Sequence, residues 1–302
     1  MQKPPNLQKG DKVALVSTAR KLTMEELQLG VDEIKSWGLE PVLGENLFAV
    51  DNQFAGTTEE RIADFQEVLD NPEIKAIICV RGGYGTVKII DELDFSQFIK
   101  QPKWVCGYSD VTVLHNHINQ NFGIETLHSA MPLGFKDNTP EALESLRETL
   151  FGTSPIYSCN ANELNVLGEA EGELVGGNLS IIYSLTGTKS QLKTKGKILF
   201  IEDLDEYLYH IDRMMMNLDR AGMLADLAGL VVGGMTDMND NTVPYGKTAK
   251  EIIIDAVKKY NYPICFDFPA GHVDDNRILI MGRKVHLKVT KEETELEFLD
   301  KK

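Results

Sequence analysis

The chain has 302 residues, enough to bury a substantial core without disulfides or metals, so two linked α/β domains are the starting expectation. Its 31 Lys and Arg against 46 Asp and Glu give a formal net charge of −15 with no local basic patch, which argues against nucleic acid as a partner. The cysteines Cys79, Cys106, Cys159 and Cys265 show no CxxC spacing and three sit in or beside apolar runs, so they read as reduced thiols in a cytoplasmic protein.

The opening "MQKPPNLQKGDKVALVSTAR" has no apolar signal-type segment before its first strand, and no later stretch approaches the roughly 18 continuous apolar residues that cross a bilayer. The expectation is neither export nor membrane insertion. The strand "KVALVS" and helices in "TMEELQLGVDEIKSWG" and "TEERIADFQEVLD" come first. They are followed by the strand "KAIICV", a helix after "RGGYG", the strand "WVCGY" and a further helix. Alternation of this length predicts an N-terminal, doubly wound parallel-sheet domain over residues 1–151.

The polar, irregular "GTSPIYSCNANELNVL" then reads as a linker, 152–167. Residues 168–302 read as a C-terminal α/β domain richer in strands. Its runs are "GELVGG", "KGKILFIED", "LAGLVVGG", "YPICFDFP", "RILIMG", "KVHLKV" and "ETELEFL", with helices near 206–222 and 246–260. Within the first of these helices Leu208, Ile211, Met215 and Leu218 recur at helical spacing, so the run Met214, Met215, Met216 is assigned to the core rather than to a binding surface.

Several motifs tempt a ligand assignment. "GKT" at Gly246–Thr248 lacks the phosphate-loop glycine five residues earlier, where Asn241 stands, and reads as a helix start. "RGGYG", Arg81 to Gly85, occupies the place of a dinucleotide-binding turn, but Lys88 stands where a third glycine is needed. A glycine crest after a strand still lets backbone N–H groups approach a ligand, or simply makes a tight turn. His115 and His117 point about 200° apart on a helix and cannot clasp one metal. "GHVDD" at Gly271–Asp275 has no second well-placed histidine, so no metal site and no cofactor is expected.

Ser109, in "CGYSDVT", lies between an apolar strand and a helix. It is either the cap of that helix or a nucleophile on a tight turn resembling a nucleophile elbow, although Val111 replaces the second glycine of that pattern. A nucleophilic serine needs a histidine oriented by a carboxylate. His272, after "FDFPAG", falls on a loop at a strand end, and Glu202, in "KILFIEDLDE", is the first acid beyond a β-run. Glu202 taken singly reads as a solvated strand end, and only the constellation with Ser109 and His272 raises it.

"RGGYG", "GYSDVT", "GGNLS" at Gly176–Ser180, "FIEDLDEYLYHIDRMMMNL", "GLVVGG" and "AGH" stand in one order along nearly the whole chain. In this set the sequence resembles the LD-carboxypeptidases, serine peptidases whose relatives include the microcin C immunity proteins. The resemblance implies a two-domain hydrolase with a Ser-Glu-His triad of Ser109, Glu202 and His272. It also implies an oxyanion hole from the backbone N–H groups of Gly83 and Asp110. The implied substrate is a murein tetrapeptide whose terminal D-Ala is released in cytoplasmic cell-wall recycling, and the implied assembly is a homodimer. Arg81 and Gly82 in the crest are candidates for substrate binding, Arg81 either through the free carboxylate or, instead, as one half of a structural salt bridge. The departure is "STAR", Ser17–Arg20, in place of a small Pro-Ser-Gly-like turn, which leaves that loop without an assigned role. Alternatives are hydrolysis of peptide-nucleotide antibiotics, as in the immunity branch, and peptide binding without turnover.

Overall fold

A computed structural model describes residues 1–299. The first half runs β1 (Lys12–Val16), α1 (Met24–Ser36), β2 (Glu40–Leu43), α2 (Thr58–Asp70), β3 (Ile74–Cys79), α3 (Ser96–Lys100), β4 (Trp104–Gly107), α4 (Thr112–Phe122), β5 (Thr126–His128) and α5 (Pro140–Leu150). The second half runs β6 (Ile156–Asn160), β7 (Gly168–Asn178), α6 (Leu179–Ser184), β8 (Ile198–Leu204), α7 (Leu208–Arg220), β9 (Gly229–Thr236), α8 (Ala249–Val257), β10 (Ile264–Cys265), β11 (Leu279–Met281), β12 (Lys284–Val289) and β13 (Glu293–Phe298).

Strand alternation explains the double winding. In β1, Val13 and Leu15 face one core with α1, while Ala14 and Val16 face another with Phe65 and Val68 of α2. The first sheet has the order β11-β5-β4-β3-β1-β2 and is parallel except for β11, a strand of the second half lying antiparallel on β5. The second sheet, β10-β9-β8-β7-β12-β13-β6, is parallel from β10 to β7 and antiparallel beyond. Both expected sheet types are present, the second richer in strands.

Three details differ from the sequence reading. After "RGGYG" two short 3-10 turns, Thr86–Lys88 and Ile90–Glu92, come first, and the helix there is only the five-residue α3. The β-branched Thr86, Val87, Ile89 and Ile90 are weak helix formers, and the Thr86 N–H is taken by a side chain. The stretch 152–167 holds β6, whose antiparallel pairing with β13 makes it an edge strand despite its polar text. β11 crosses into the first sheet. Elsewhere Met214 and Met215 are fully buried with Ile211 and Leu218, whereas Met216 is exposed on the outer face of α7 and departs from the core assignment of that run, and Thr248 caps α8 in a capping box with Glu251. No helix among the described residues is long and apolar enough to cross a membrane.

Candidate active site

The order β4-β3-β1-β2 reverses direction between β3 and β1, and open α/β sheets hold ligands at the carboxyl ends of strands beside such a reversal. Ser17–Arg20 follows β1, the glycine crest follows β3, and Tyr108–Ser109 follows β4. A cavity of about 620 Å³ opens there, bordered by Arg20, Arg81, Gly82, Gly83, Ser109 and His272 among others.

Ser109 is held in an uncommon backbone conformation. Tyr108 is extended, at φ −144° and ψ −170°, and Ser109 turns to φ +62° to open a 3-10 turn, Ser109–Val111, ahead of α4. A left-handed residue with a Cβ costs about 1–2 kcal/mol, so the surrounding structure must impose it. The Ser109 hydroxyl makes no capping bond, which separates it from the cap reading. Gly82 leaves it room: a Cβ there would lie 3.0 Å from the Ser109 Cβ and 3.1 Å from its Oγ.

On the other wall, Glu202 is wholly buried near the end of β8 and His272 stands on the loop after Gly271. Glu202 Oε2 accepts from His272 Nδ1 at 2.6 Å and from the His272 backbone N–H at 3.1 Å. Gly271 permits this double contact, because at φ +107° a Cβ would lie 2.7 Å from Glu202 Oε2. With Nδ1 donating to the carboxylate, Nε2 is the nitrogen left to accept a proton. Burial opposes the imidazolium, but the charge of Glu202, its hydrogen bond and the charge of Asp203 together raise the His272 pKa above its usual value. The Tyr108 ring packs on the imidazole with centroids 4.7 Å apart.

Polar groups behind these residues tie the two halves together. Asn178, at the end of β7, donates through Nδ2 to Glu202 Oε1 at 3.3 Å and to Asp203 Oδ1 at 2.9 Å, while its backbone N–H donates to Thr112 Oγ1 at 3.0 Å. Asp203 Oδ2 accepts the Ser180 N–H at 2.9 Å. Burial first, and the neighbouring Glu202 charge second, push the Asp203 pKa up to about 7. On the crest side, buried Asp110 accepts the Thr86 N–H at 2.8 Å and its hydroxyl at 2.7 Å, tethering the turn that follows Gly85. The Gly83 N–H donates to no protein acceptor among the described residues. The Asp110 N–H precedes the first bond of its turn, which Val111 makes to the Tyr108 carbonyl at 3.2 Å.

Ser109, His272, Arg81, Gly82 and Gly83 thus share one cavity, with Glu202 behind His272 and Asp110 beneath the crest. Arg81 Nη1 donates to the Lys21 carbonyl at 2.6 Å. Of the other histidines, His115 lies between Thr126 Oγ1 at 2.9 Å and the Gly107 carbonyl at 2.8 Å, His117 bonds Ser190, and buried His128 has a hydrogen-bond partner on neither ring nitrogen among the described residues. Asn178, Thr112, Thr86 and Asp203 are neighbours that the sequence reading left without a role. For Asn178 the signal was present in "GGNLS". Asp203 follows Glu202 directly, and a register irregularity between Ile201 and Asp203 in the pairing of β8 with β9 accompanies the approach of both carboxylates to Asn178.

The family model for the LD-carboxypeptidase N-terminal domain matches residues 13–129, and that for the C-terminal domain matches residues 171–287. The chain belongs to the LD-carboxypeptidase family. Among LD-carboxypeptidase relatives, a probable murein peptide carboxypeptidase of Bacillus subtilis is 35% identical over 98% of this chain and 94% of its own length. A murein tetrapeptide carboxypeptidase of Pseudomonas aeruginosa is 27% identical over 92% and 93%. The crystal structure of muramoyltetrapeptide carboxypeptidase from Oxalobacter formigenes superposes with a TM-score of 0.85 at 28% identity, covering 96% of this chain and 99% of that one. A microcin C7 self immunity protein has the same fold, with a TM-score of 0.86 at 21% identity over 98% of both chains. The family and fold expected from the ordered motifs are borne out, and the chain is a peptidase.

Proposed function

We propose that the protein is a serine-type LD-carboxypeptidase that removes the terminal D-Ala from murein tetrapeptides. The observation that carries the serine assignment is that an uncapped, left-handed Ser109 and a His272 oriented by buried Glu202 line one cavity. The substrate assignment is supported by relatives and a solved structure named for murein tetrapeptide cleavage. The immunity-protein likeness, at 21% identity, carries the fold and no substrate.

In this mechanism Ser109 Oγ attacks the carbonyl carbon of the terminal peptide bond while His272 Nε2 takes the hydroxyl proton. The Gly83 and Asp110 N–H groups receive the oxyanion, each such donor being worth about 2.7–4 kcal/mol of transition-state stabilisation. The C–N bond then breaks, and His272 returns the proton to the amine of the departing D-Ala. A water, deprotonated by the same histidine, hydrolyses the acyl-serine and regenerates Ser109. Glu202 keeps the imidazole in the tautomer this requires and stabilises its charged form. Gly82 and Arg81 border the bound peptide.

The nucleophile comes from the domain of residues 1–151 and the acid and base from that of residues 168–302. The reading includes a cytoplasmic homodimer acting in cell-wall peptide recycling, and free thiols at Cys79, Cys106, Cys159 and Cys265 fit a reducing compartment.

The test is release of alanine from murein tetrapeptide and from its L-Ala-terminated analogue, with and without EDTA. D-Ala release that is indifferent to EDTA and strongly preferred over L-Ala is expected. No D-Ala release, or release abolished by EDTA, contradicts the reading.

A further inference from the structure

Three cations border the cavity: Arg20, Arg81 and Lys136. Two of them have company. Arg81 donates to the Lys21 carbonyl, and Arg81 and Lys136 both act on the Glu26 carboxyl, which is held low first by its hydrogen bonds from Thr23 and then by these two charges. Arg20 is different. Among the described residues its guanidinium makes no hydrogen bond and no ion pair, although its backbone is fixed by a bridge to Phe54 and by the Ser17 hydroxyl, which donates to the Arg20 carbonyl at 2.9 Å.

The Arg20 stem lies across the glycine crest. A Cβ on Gly83 would fall 2.6 Å from Arg20 Cγ, 2.7 Å from Cδ and 3.0 Å from Nε. The same construction on the adjacent Gly82 ends 3.1 Å from the Ser109 Oγ. Arg20 and Ser109 thus line one cavity, the Arg20 stem against Gly83 and the nucleophile against the adjacent Gly82.

Resting on the carboxypeptidase reading above, we propose that Arg20 is the specificity residue that binds the free terminal carboxylate of the substrate. That carboxylate lies one Cα beyond the scissile nitrogen, close to the reacting carbonyl. A guanidinium meets a carboxylate with two parallel, charge-assisted hydrogen bonds, and a terminal amide cannot supply the second acceptor or the charge. The same contact selects for cleavage of the last residue, since an internal peptide bond has no carboxylate at this position.

The test compares murein tetrapeptide with its C-terminal amide. Turnover is measured for the parent, Arg20→Ala, Arg20→Lys and Arg81→Ala. Binding is measured by calorimetry for Ser109→Ala and for Ser109→Ala combined with Arg20→Ala. The preference for acid over amide is expected to fall about tenfold or more without Arg20, in both kcat/KM and affinity, and to be partly kept by Arg20→Lys. An unchanged preference in Arg20→Ala, or one that falls instead in Arg81→Ala, overturns the assignment. An acid preference that depends on Arg20 in binding, in a parent that releases no alanine, upholds Arg20 and sinks the peptidase reading.

Discussion

Ser109 combines a left-handed backbone with a hydroxyl that caps nothing, two features that cost stability unless they serve the site. Glycine tolerates this backbone and alanine does not, so Ser109→Gly is expected to be about 1 kcal/mol more stable than Ser109→Ala in denaturant melts, with both inactive. His272 gives the pH signature. Its neutral form is the base and its pKa is raised, so kcat/KM is expected to fall as pH drops through a midpoint above 6.5. Glu202→Gln removes the raising charge, moving that midpoint down while lowering the rate on the alkaline plateau. A midpoint that stays in place in Glu202→Gln contradicts the pairing. At this scale the candidate triad was legible in the sequence, because the three residue types stand at strand ends in motifs with a fixed order. The proposed role of Arg20 was not, since it rests on which neighbours that side chain lacks.

The turn at Ser109 is held from both sides by elements distant in sequence. Thr112 in α4 accepts from the Asn178 backbone, and Asp110 holds Thr86 after the crest. The Asp110 side chain therefore has a task besides the proposed one of its N–H. Asp110→Asn keeps an oxygen that can accept from Thr86, whereas Asp110→Ala leaves the crest untethered. Asp110→Ala is expected to lose about tenfold more kcat than Asp110→Asn, with secondary structure retained by circular dichroism. Gly271→Ala forces a Cβ against Glu202 at positive φ, and a stability loss of about 2–3 kcal/mol accompanied by loss of activity is expected. Long periodic elements such as α1, α2 and β8 were readable because their apolar spacing is regular. β6 and the crest turns were not: one is stabilised by its pairing with β13, and the others are shaped by hydrogen bonds to Asp110 that no local pattern announces.

Across the molecule, the family's two domains share one core. Trp104 and Leu127 of the first sheet belong to the same apolar cluster as Phe200, Val231 and Phe268 of the second half, and β11 completes the first sheet. A buried ion pair reinforces the seam, with Arg283 Nη2 donating to Glu125 Oε2 at 2.6 Å. Glu125→Ala removes one charged partner of a buried guanidinium that Ser154 also holds, and is expected to cost about 1–3 kcal/mol, lowering a single calorimetric transition rather than splitting it in two. This sharing escaped the sequence reading because a domain boundary inferred from polarity says nothing of which strand later returns to the first sheet. It also fixes the wall carrying Glu202 and His272 against the wall carrying Ser109, the arrangement on which the proposed chemistry depends. The most direct test is the rate of D-Ala release from murein tetrapeptide by the parent and by Ser109→Ala at equal folded concentration. The account predicts steady release by the parent and a fall of about a thousandfold or more in the variant. Release by Ser109→Ala at the parent's rate contradicts it.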